Sequence, residues 1–345
     1  MYTHRVRIAF IDDGIHPCVI AQGVLSEHYA ADENGVRPCA PAEALTHGTA
    51  CYEIFRNHMT VPHRITSIKV LDDATGRGNH KAVVAALKWS KEFDFEIINL
   101  SLGTQQYLDF APIAAQIKRL RKTIIVAACS NQNRLTFPAC LPQVIGVRHS
   151  GDTRLKGTFA YLPKPYDQID VLVTSEGANS YAAPIISARI CTYIFEGIVS
   201  PLEIRKKLAA DALQDISFID MQFYKNLMPD WEEVDIPIVG WTDASPKATK
   251  VLADVIKLMV AEEYRAIGLT RRNKTKAESL IFRLPAIQWI ETLYNFTLPD
   301  ILFLQIDREE LLTLPEAEKP QIIFEAQDMH SGAEKIFNKL MEHYN

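Results

Sequence analysis

The chain lacks any uninterrupted apolar run near the roughly 20 residues that a bilayer crossing takes, so it offers no membrane span. It opens Met1-Tyr2-Thr3-His4-Arg5 and enters a strand-like apolar pattern at Val6, which leaves no room for a charged leader, an apolar stretch and a cleavage site. We therefore expect no secretion signal and a cytoplasmic location. The six cysteines, Cys18, Cys39, Cys51, Cys129, Cys140 and Cys191, include no Cys-x-x-Cys pair. That argues against structural zinc and, in an intracellular chain, for small buried thiols rather than disulfides. There is no internal repeat, no low-complexity segment and no acidic cluster that forces a metal site. We expect neither a metal nor a cofactor.

A basic surplus is also missing. Net charge is −5, and through Asp215 the chain has 23 Lys+Arg against 21 Asp+Glu, while the remainder has 14 against 21. Nucleic acid wants a basic face, so neither nucleic acid nor membrane is expected as a partner. The acidic C-terminal part reads as a solvated surface, with a basic peptide partner as the alternative. With 345 residues, 48% hydrophobic and 23% charged, the chain has the make-up of a soluble globular protein. It is long enough for one large domain and an appendage.

Strand and helix patterns alternate over residues 5–215. Val6 to Ile11 is a nearly continuous apolar run, as expected of a strand buried on both faces. Ile65 to Leu71, Ile97 to Leu100, Thr123 to Ala128 and Gln143 to Val147 are further strands. Gly76-Arg77-Gly78-Asn79 breaks the chain before a helix over Lys81 to Phe93. More helices are expected at Ala111 to Leu120, Tyr181 to Phe195 and Pro201 to Ala210. Such alternation predicts an α/β fold, a mostly parallel sheet with helices on both faces, whose ligands sit beyond the carboxyl ends of the strands. A linker is expected at 216–234, and the pattern restarts as a smaller C-terminal α/β domain over 235–345. Its strands are expected at Ile236 to Trp241, Arg265 to Thr270, Asp300 to Ile306 and Gln321 to Phe324. Its helices are expected at Ala248 to Tyr264, Ile287 to Phe296 and Ala333 to His343.

Three segments bring chemistry in a fixed order: Asp12-Asp13-Gly14 at the end of the first strand, His47-Gly48-Thr49, and Asn179-Ser180-Tyr181-Ala182-Ala183-Pro184. A serine hydroxyl is a poor nucleophile until a neighbouring base takes its proton. His47 would be that base, and Asp12 would fix its tautomer and stabilise the imidazolium. Pro184 fits the first turn of a helix, which sets Ser180 at the helix start. Asn131, just past a strand, could offer a side-chain amide to a developing oxyanion, with the Ser180 N–H as second donor. Taken singly, these are a turn aspartate, a helix boundary, a cap and a loop asparagine. Their joint order gives them catalytic meaning.

These residues resemble the subtilisin-family serine proteases from about Val6 to Ala210. The similarity runs through Ile8-Ala9-Phe10-Ile11-Asp12-Asp13-Gly14, His47-Gly48-Thr49-Ala50, Ile98-Asn99-Leu100-Ser101-Leu102-Gly103, Val126-Ala127-Ala128-Cys129-Ser130-Asn131, Phe137-Pro138-Ala139 through Val144-Ile145-Gly146-Val147, and the Ser180 segment. The resemblance implies a subtilisin-like fold and a serine endopeptidase whose triad is Asp12, His47 and Ser180, with Asp12 and not Asp13 as the acid. It gives Asn131 the oxyanion role. It has the backbone of Ser101, Leu102 and Gly103 pair with an extended substrate by strand addition, and it puts Ala128, Cys129 and Ser130 around the substrate pocket. The family usually carries Gly-Thr-Ser-Met-Ala before the proline, where this chain has Ala178-Asn179-Ser180-Tyr181-Ala182, and Gly before the oxyanion Asn, where it has Ser130. A narrower or more polar pocket and selective cleavage follow as expectations.

The arrangement also resembles proteases that trim leaders from ribosomally made, modified peptides. Leu298-Pro299-Asp300-Ile301-Leu302-Phe303-Leu304 is similar to accessory proteins of those systems. The expected partners are then a precursor peptide with a leader and the modification enzymes acting on it. Two other readings stay open: a catalytically silent scaffold that grips the precursor, and a serine esterase. Gly240-Trp241-Thr242-Asp243-Ala244-Ser245-Pro246-Lys247 mimics a phosphate loop, but Lys247 precedes Ala248 and Pro246 removes an N–H donor. A cap at Ser245 with Pro246 just inside the helix is the better account. His63, His80 and His149 lack ligand spacing.

Overall fold

The computed structural model describes residues 4–71, 78–163, 165–228, 232–271 and 279–344. They fall into two compact units, one within 4–131, 136–163 and 169–216, the other within 132–135, 165–168 and 217–344.

The first unit runs β1 (Val6–Asp12), β2 (Leu25–Asp32), β3 (Gly35–Pro38), α1 (His47–His58), β4 (His63–Lys69), α2 (His80–Ser90), β5 (Ile97–Leu100), α3 (Phe110–Ile117), β6 (Ile124–Ala128), β7 (Val144–His149), β8 (Phe159–Tyr161), β9 (Val171–Val173), α4 (Ala182–Phe195) and α5 (Pro201–Asp211). Its nine strands form one sheet in the order β3-β2-β4-β1-β5-β6-β7-β9-β8. All neighbours are parallel except β2–β3 and β8–β9, the antiparallel pairs at the two edges. The expected α/β class with a mostly parallel sheet is what the structure has.

Central strands are apolar throughout because both faces are covered: in β1, Val6, Ile8, Ala9, Phe10 and Ile11 are buried. Phe10 meets Tyr52 and Phe55 of α1 edge-on, at 5.6 and 5.2 Å between ring centroids. Helix α4 is buried nearly all round, with Ala182, Ala183, Ile186, Ser187, Ala188, Ile190 and Cys191 all inside. A helix apolar on every side belongs in a core. Register then fixes the functional rim. Ile11 lies opposite Leu100, and Leu100 opposite Ala127, so Asp12, Ser101 and Ala128 come level at the carboxyl ends of three adjacent strands.

The second unit contains α6 (Met221–Asn226), β10 (Ile238–Trp241), α7 (Pro246–Ala261), β11 (Ala266–Thr270), β12 (Ile281–Arg283), α8 (Ile290–Thr297), β13 (Ile301–Gln305), α9 (Arg308–Leu312), β14 (Ile322–Phe324) and α10 (Ala333–Tyr344). Its sheet is parallel, in the order β12-β11-β13-β10-β14. Segment 216–234, read as a linker, holds α6, which Asp220 caps by accepting from the Phe223 N–H at 2.9 Å. Residues 132–135 and 165–168 group with this unit although they sit in the first half of the sequence. Leu135 donates its N–H to Phe296 O at 2.9 Å, and Tyr166 packs on Trp289 at 4.2 Å. Ser245 caps α7 by accepting from the Ala248 N–H at 3.1 Å, with Pro246 at its first position, so the imitation phosphate loop is a helix cap. Of the Gly76-Arg77-Gly78-Asn79 break, residues 76 and 77 lie outside the described residues.

Candidate active site

Two neighbouring aspartates end β1 and do different work. Asp12 Oδ1 lies 2.9 Å from His47 Nδ1 and also accepts the Asp13 N–H at 3.0 Å. Asp13 turns its carboxylate to the start of α1 and accepts the N–H groups of His47 and Gly48, at 3.0 and 2.7 Å. A carboxylate on exposed helix N–H groups suits the positive end of the helix. Thr46 completes the cap by accepting from the Thr49 N–H. Gly48 is needed for close approach: a Cβ there would lie 2.6 Å from Gly14 O and 3.0 Å from the Asp12 Cβ. The helix start can thus sit directly on the strand end, and this contact brings His47 to Asp12.

Asp12 is 2% exposed, and its Oδ2 has no hydrogen-bond partner among the described residues. Burial pushes its carboxyl above the usual range, against the pull of the His47 hydrogen bond. The hydrogen bond to Asp12, followed by the contact with Cys51, raises the His47 imidazole to about 11, with burial opposing. Both shifts have one meaning: the pair holds on to its shared proton.

Ser180 is buried at 9% exposure in a single turn, Asn179–Tyr181, that runs into α4. The Cys51 thiol ties this turn to the histidine. Its Sγ is 3.7 Å from His47 Nε2 and 4.0 Å from Ser180 O. The Tyr181 ring stacks on the imidazole, with centroids 5.8 Å apart and planes 18° apart. Asp12, His47 and the Ser180 turn therefore come together in the first unit.

Asn131 is exposed, and its Oδ1 accepts the Asn179 N–H at 2.9 Å. With the carbonyl end fixed, the amide NH₂ is the end turned away from that bond. Asn179 adds two side-chain bonds: Nδ2 donates to Ser130 O at 2.6 Å, and Oδ1 accepts the His149 N–H at 2.8 Å. The residue before the serine thus pins the loop that carries Asn131. Ser101, Leu102 and Gly103 lie between β5 and a two-bond bridge. There Thr104 donates its N–H to Phe137 O at 2.9 Å and accepts the Phe137 N–H at 2.8 Å. A Cβ at Gly103 would fall 2.4 Å from Thr136 Cγ2, so this segment depends on glycine to pass. Ala128 and Cys129 are buried and Ser130 is half-buried, with the Ser130 N–H donated to Thr136 Oγ1 at 2.9 Å.

Sequence reading missed several supporting residues. Asn99, fully buried in β5, donates Nδ2 to Ser101 Oγ at 3.0 Å and accepts from Ser187 Oγ of α4 at 2.9 Å. Neither the asparagine nor the serine signals this until the topology stacks α4 on β5. Cys51 did carry a signal, since i+4 spacing sets it on the His47 face of a helix. His149 Nδ1 accepts the Ser175 N–H at 3.0 Å, and His63 is buried beside Tyr52; both are structural contacts. His80 Nδ1 lies 3.2 Å from Asp109.

No protein-family model matches the chain. Subtilisin DY of Bacillus licheniformis is 26% identical over 171 residues, which are 45% of this chain and 60% of that protein. The chain spans about 60% of the length of this relative. Solved structures similar to it include a lanthipeptide protease, 15% identical with a TM-score of 0.46, over 58% of this chain and 78% of that one. A cold-adapted subtilisin-like serine proteinase is 18% identical with a TM-score of 0.46, over 61% and 84%. The prenylagaramide maturation protease PagA is 18% identical with a TM-score of 0.45, over 62% and 86%. Its sequence match and its mostly parallel, helix-covered sheet make the chain subtilisin-like.

Proposed function

We propose that the chain is a serine endopeptidase in which Ser180 attacks a peptide carbonyl, His47 takes the hydroxyl proton and Asp12 orients the base. The observation that carries this reading is the 2.9 Å contact between His47 Nδ1 and a buried Asp12 carboxylate, with the Ser180 turn packed against the same imidazole. A hydrogen bond at Nδ1 leaves Nε2 as the nitrogen that receives the serine proton. Collapse of the tetrahedral adduct hands that proton to the leaving amine, and water then releases the acyl group by the same route. The Asn131 amide and the Ser180 N–H face the developing oxyanion. Ser101, Leu102 and Gly103 extend the sheet by one substrate strand, and Ala128, Cys129 and Ser130 line the pocket for the residue before the scissile bond.

The proposed substrate is a precursor peptide, processed selectively in the cytoplasm, with the second unit positioning it or docking its modification enzymes. Supporting selectivity are Ser130 where the family commonly has glycine and the bulk of Tyr181 against the base. No helix is long and apolar enough to cross a membrane among the described residues. The Tyr181 stack also favours a second reading, a silent scaffold that binds peptide without cutting it. Mass spectrometry of a candidate precursor separates the two: native protein releases a defined fragment and Ser180→Ala does not. Cleavage at many unrelated sites would refute selectivity, and no cleavage with binding intact would favour the scaffold.

A further inference from the structure

The chain leaves the first unit immediately after Asn131. Residues 132–135 group with the second unit, and peptide bonds join them directly to Asn131 on one side and to Thr136 on the other. Both flanks are tied within the first unit: Asn131 Oδ1 accepts the Asn179 N–H at 2.9 Å, and Thr136 Oγ1 accepts the Ser130 N–H at 2.9 Å. The residues between them bond to helix ends of the second unit. Asn133 Nδ2 donates to Leu227 O, just past α6, at 3.0 Å; the Arg134 guanidinium donates to Asn295 O of α8; and the Leu135 N–H donates to Phe296 O at 2.9 Å. A helix leaves its last carbonyls without partners of its own, and the sequence beyond α8 does not supply them. Pro299 has no N–H to return to Asn295 O, and the Asp300 N–H goes to Arg265 O at 2.7 Å. A cation such as Arg134 suits the negative end of a helix. Asn133 sits at φ 55°, the left-handed region in which asparagine is enriched. The sequence of this short segment is thus fitted to capping two helices of the second unit.

We propose that residues 132–135 are a strap through which the second unit fixes Asn131 at the candidate oxyanion site, with Asn133 as a positioning residue. The backbone of Asn131 is held before it by Ser130, whose carbonyl accepts from Asn179 Nδ2 at 2.6 Å, and after it by the strap. Its side chain is exposed, so burial does not fix it. Cutting the bond from Asn133 to Leu227 O frees the strap next to Asn131, which then drifts from both the Asn179 N–H and the oxyanion. A displacement near 1 Å can cost about 100-fold in rate. The second unit is then a working part of the candidate active site, in addition to any part it has in recognising substrate.

The catalytic consequence rests on the peptidase reading; the positioning of Asn131 does not, so the test has two readouts on the full chain. Selective nitrogen-15 labelling of asparagine follows hydrogen exchange at the Asn179 amide, which reports whether Asn131 still holds it. The Asn99 amide in the buried strand β5 is the internal reference, and a fluorophosphonate probe reports Ser180 reactivity. Asn133→Asp keeps the size of the side chain and removes its donor. We expect exchange at Asn179 to quicken about 10-fold, the order of one lost hydrogen bond, with Asn99 unchanged and labelling slower by about 10-fold or more. Asn131→Ala sets the limit of both effects, and Asn133→Asp should add little to it, because residues acting through one another are not additive. Asn133→Gly, which keeps the left-handed backbone, is the second variant if aspartate fails to fold. Parental exchange at Asn179, quickening only in step with Asn99, or full additivity with Asn131→Ala would overturn the proposal. So would undiminished labelling in a variant whose Asn179 amide has quickened. Selectively faster Asn179 exchange in a chain that never labels supports the strap and counts against the peptidase.

Discussion

Replacing Asn179 by alanine tests how the structure couples the candidate nucleophile to the candidate oxyanion loop. The side chain is 5% exposed and makes two short bonds to backbone on separate segments, Ser130 O at 2.6 Å and the His149 N–H at 2.8 Å. Removing it deprives both groups of these partners. Taking one partner from a buried polar group costs about 1–3 kcal/mol. Both segments are half-buried, so water recovers part of the loss. We expect Asn179→Ala to lower stability by about 2–4 kcal/mol, read as a shift of the urea midpoint at unchanged slope. The Asn179 N–H, which Asn131 Oδ1 accepts, survives the substitution, but the loop bearing Asn131 loses its tether at Ser130. A displacement near 1 Å can cost about 100-fold in rate. Fluorophosphonate labelling of the folded variant should therefore slow by more than its stability loss explains. A variant within about 0.5 kcal/mol of the parent that labels at the parental rate would refute this account of Asn179.

Asp12→Asn keeps the shape of the acid and removes its charge; peptidase kcat should fall about 10⁴-fold. The native pH profile should rise with pH to a midpoint above the ordinary imidazole value of 6.5, because Asp12 stabilises the protonated ring. Residual activity of Asp12→Asn should titrate at lower pH, and a midpoint that stays put would contradict the pairing. Asn131→Ala should lower kcat by about 10²–10³ with little change in KM, in steady-state kinetics on a cleaved peptide. An effect confined to KM would reassign the residue to substrate binding. Arg205 donates to Asp170 at 3.1 Å and to the carbonyls of Pro142 and Val144, and Asp170 is nearly buried. Arg205→Ala should cost about 3 kcal/mol by chemical denaturation, because it takes the guanidinium away from a buried carboxylate that keeps only neutral donors such as the Gly146 N–H, and labelling of the remaining folded protein should be unchanged.

Where side chains face a core on both sides, the sequence announces the element. Val6 to Ile11 reads as a buried strand and is one, extended by Asp12. The hairpin of β2 and β3 escaped notice because it lies at the sheet edge. The residues Leu25-Ser26-Glu27-His28-Tyr29-Ala30-Ala31-Asp32 are exposed or half-buried throughout, so no apolar period marks them. β8, β9 and β12 have three residues each, too few to show any period.

Within the candidate site, Asp12, His47 and Ser180 were legible because their order and their places at element ends carry meaning together. Asn99, Ser187 and Asn179 were not. A polar residue gives no hint of its role when its partner is 30 to 88 positions away and only the packing of the fold brings them face to face. Residues 132–135 and 165–168 show the same limit at larger scale, since aromatic packing and one backbone bond, not sequence position, group them with the second unit.

The central claim is that Ser180 is a nucleophile armed by His47 and Asp12. Intact-mass and peptide-level mass spectrometry after fluorophosphonate treatment addresses it directly. The account predicts a single adduct on Ser180, absent from Ser180→Ala and strongly reduced in His47→Ala. Folded native protein that stays unmodified, or an adduct that survives the loss of His47 undiminished, would contradict it.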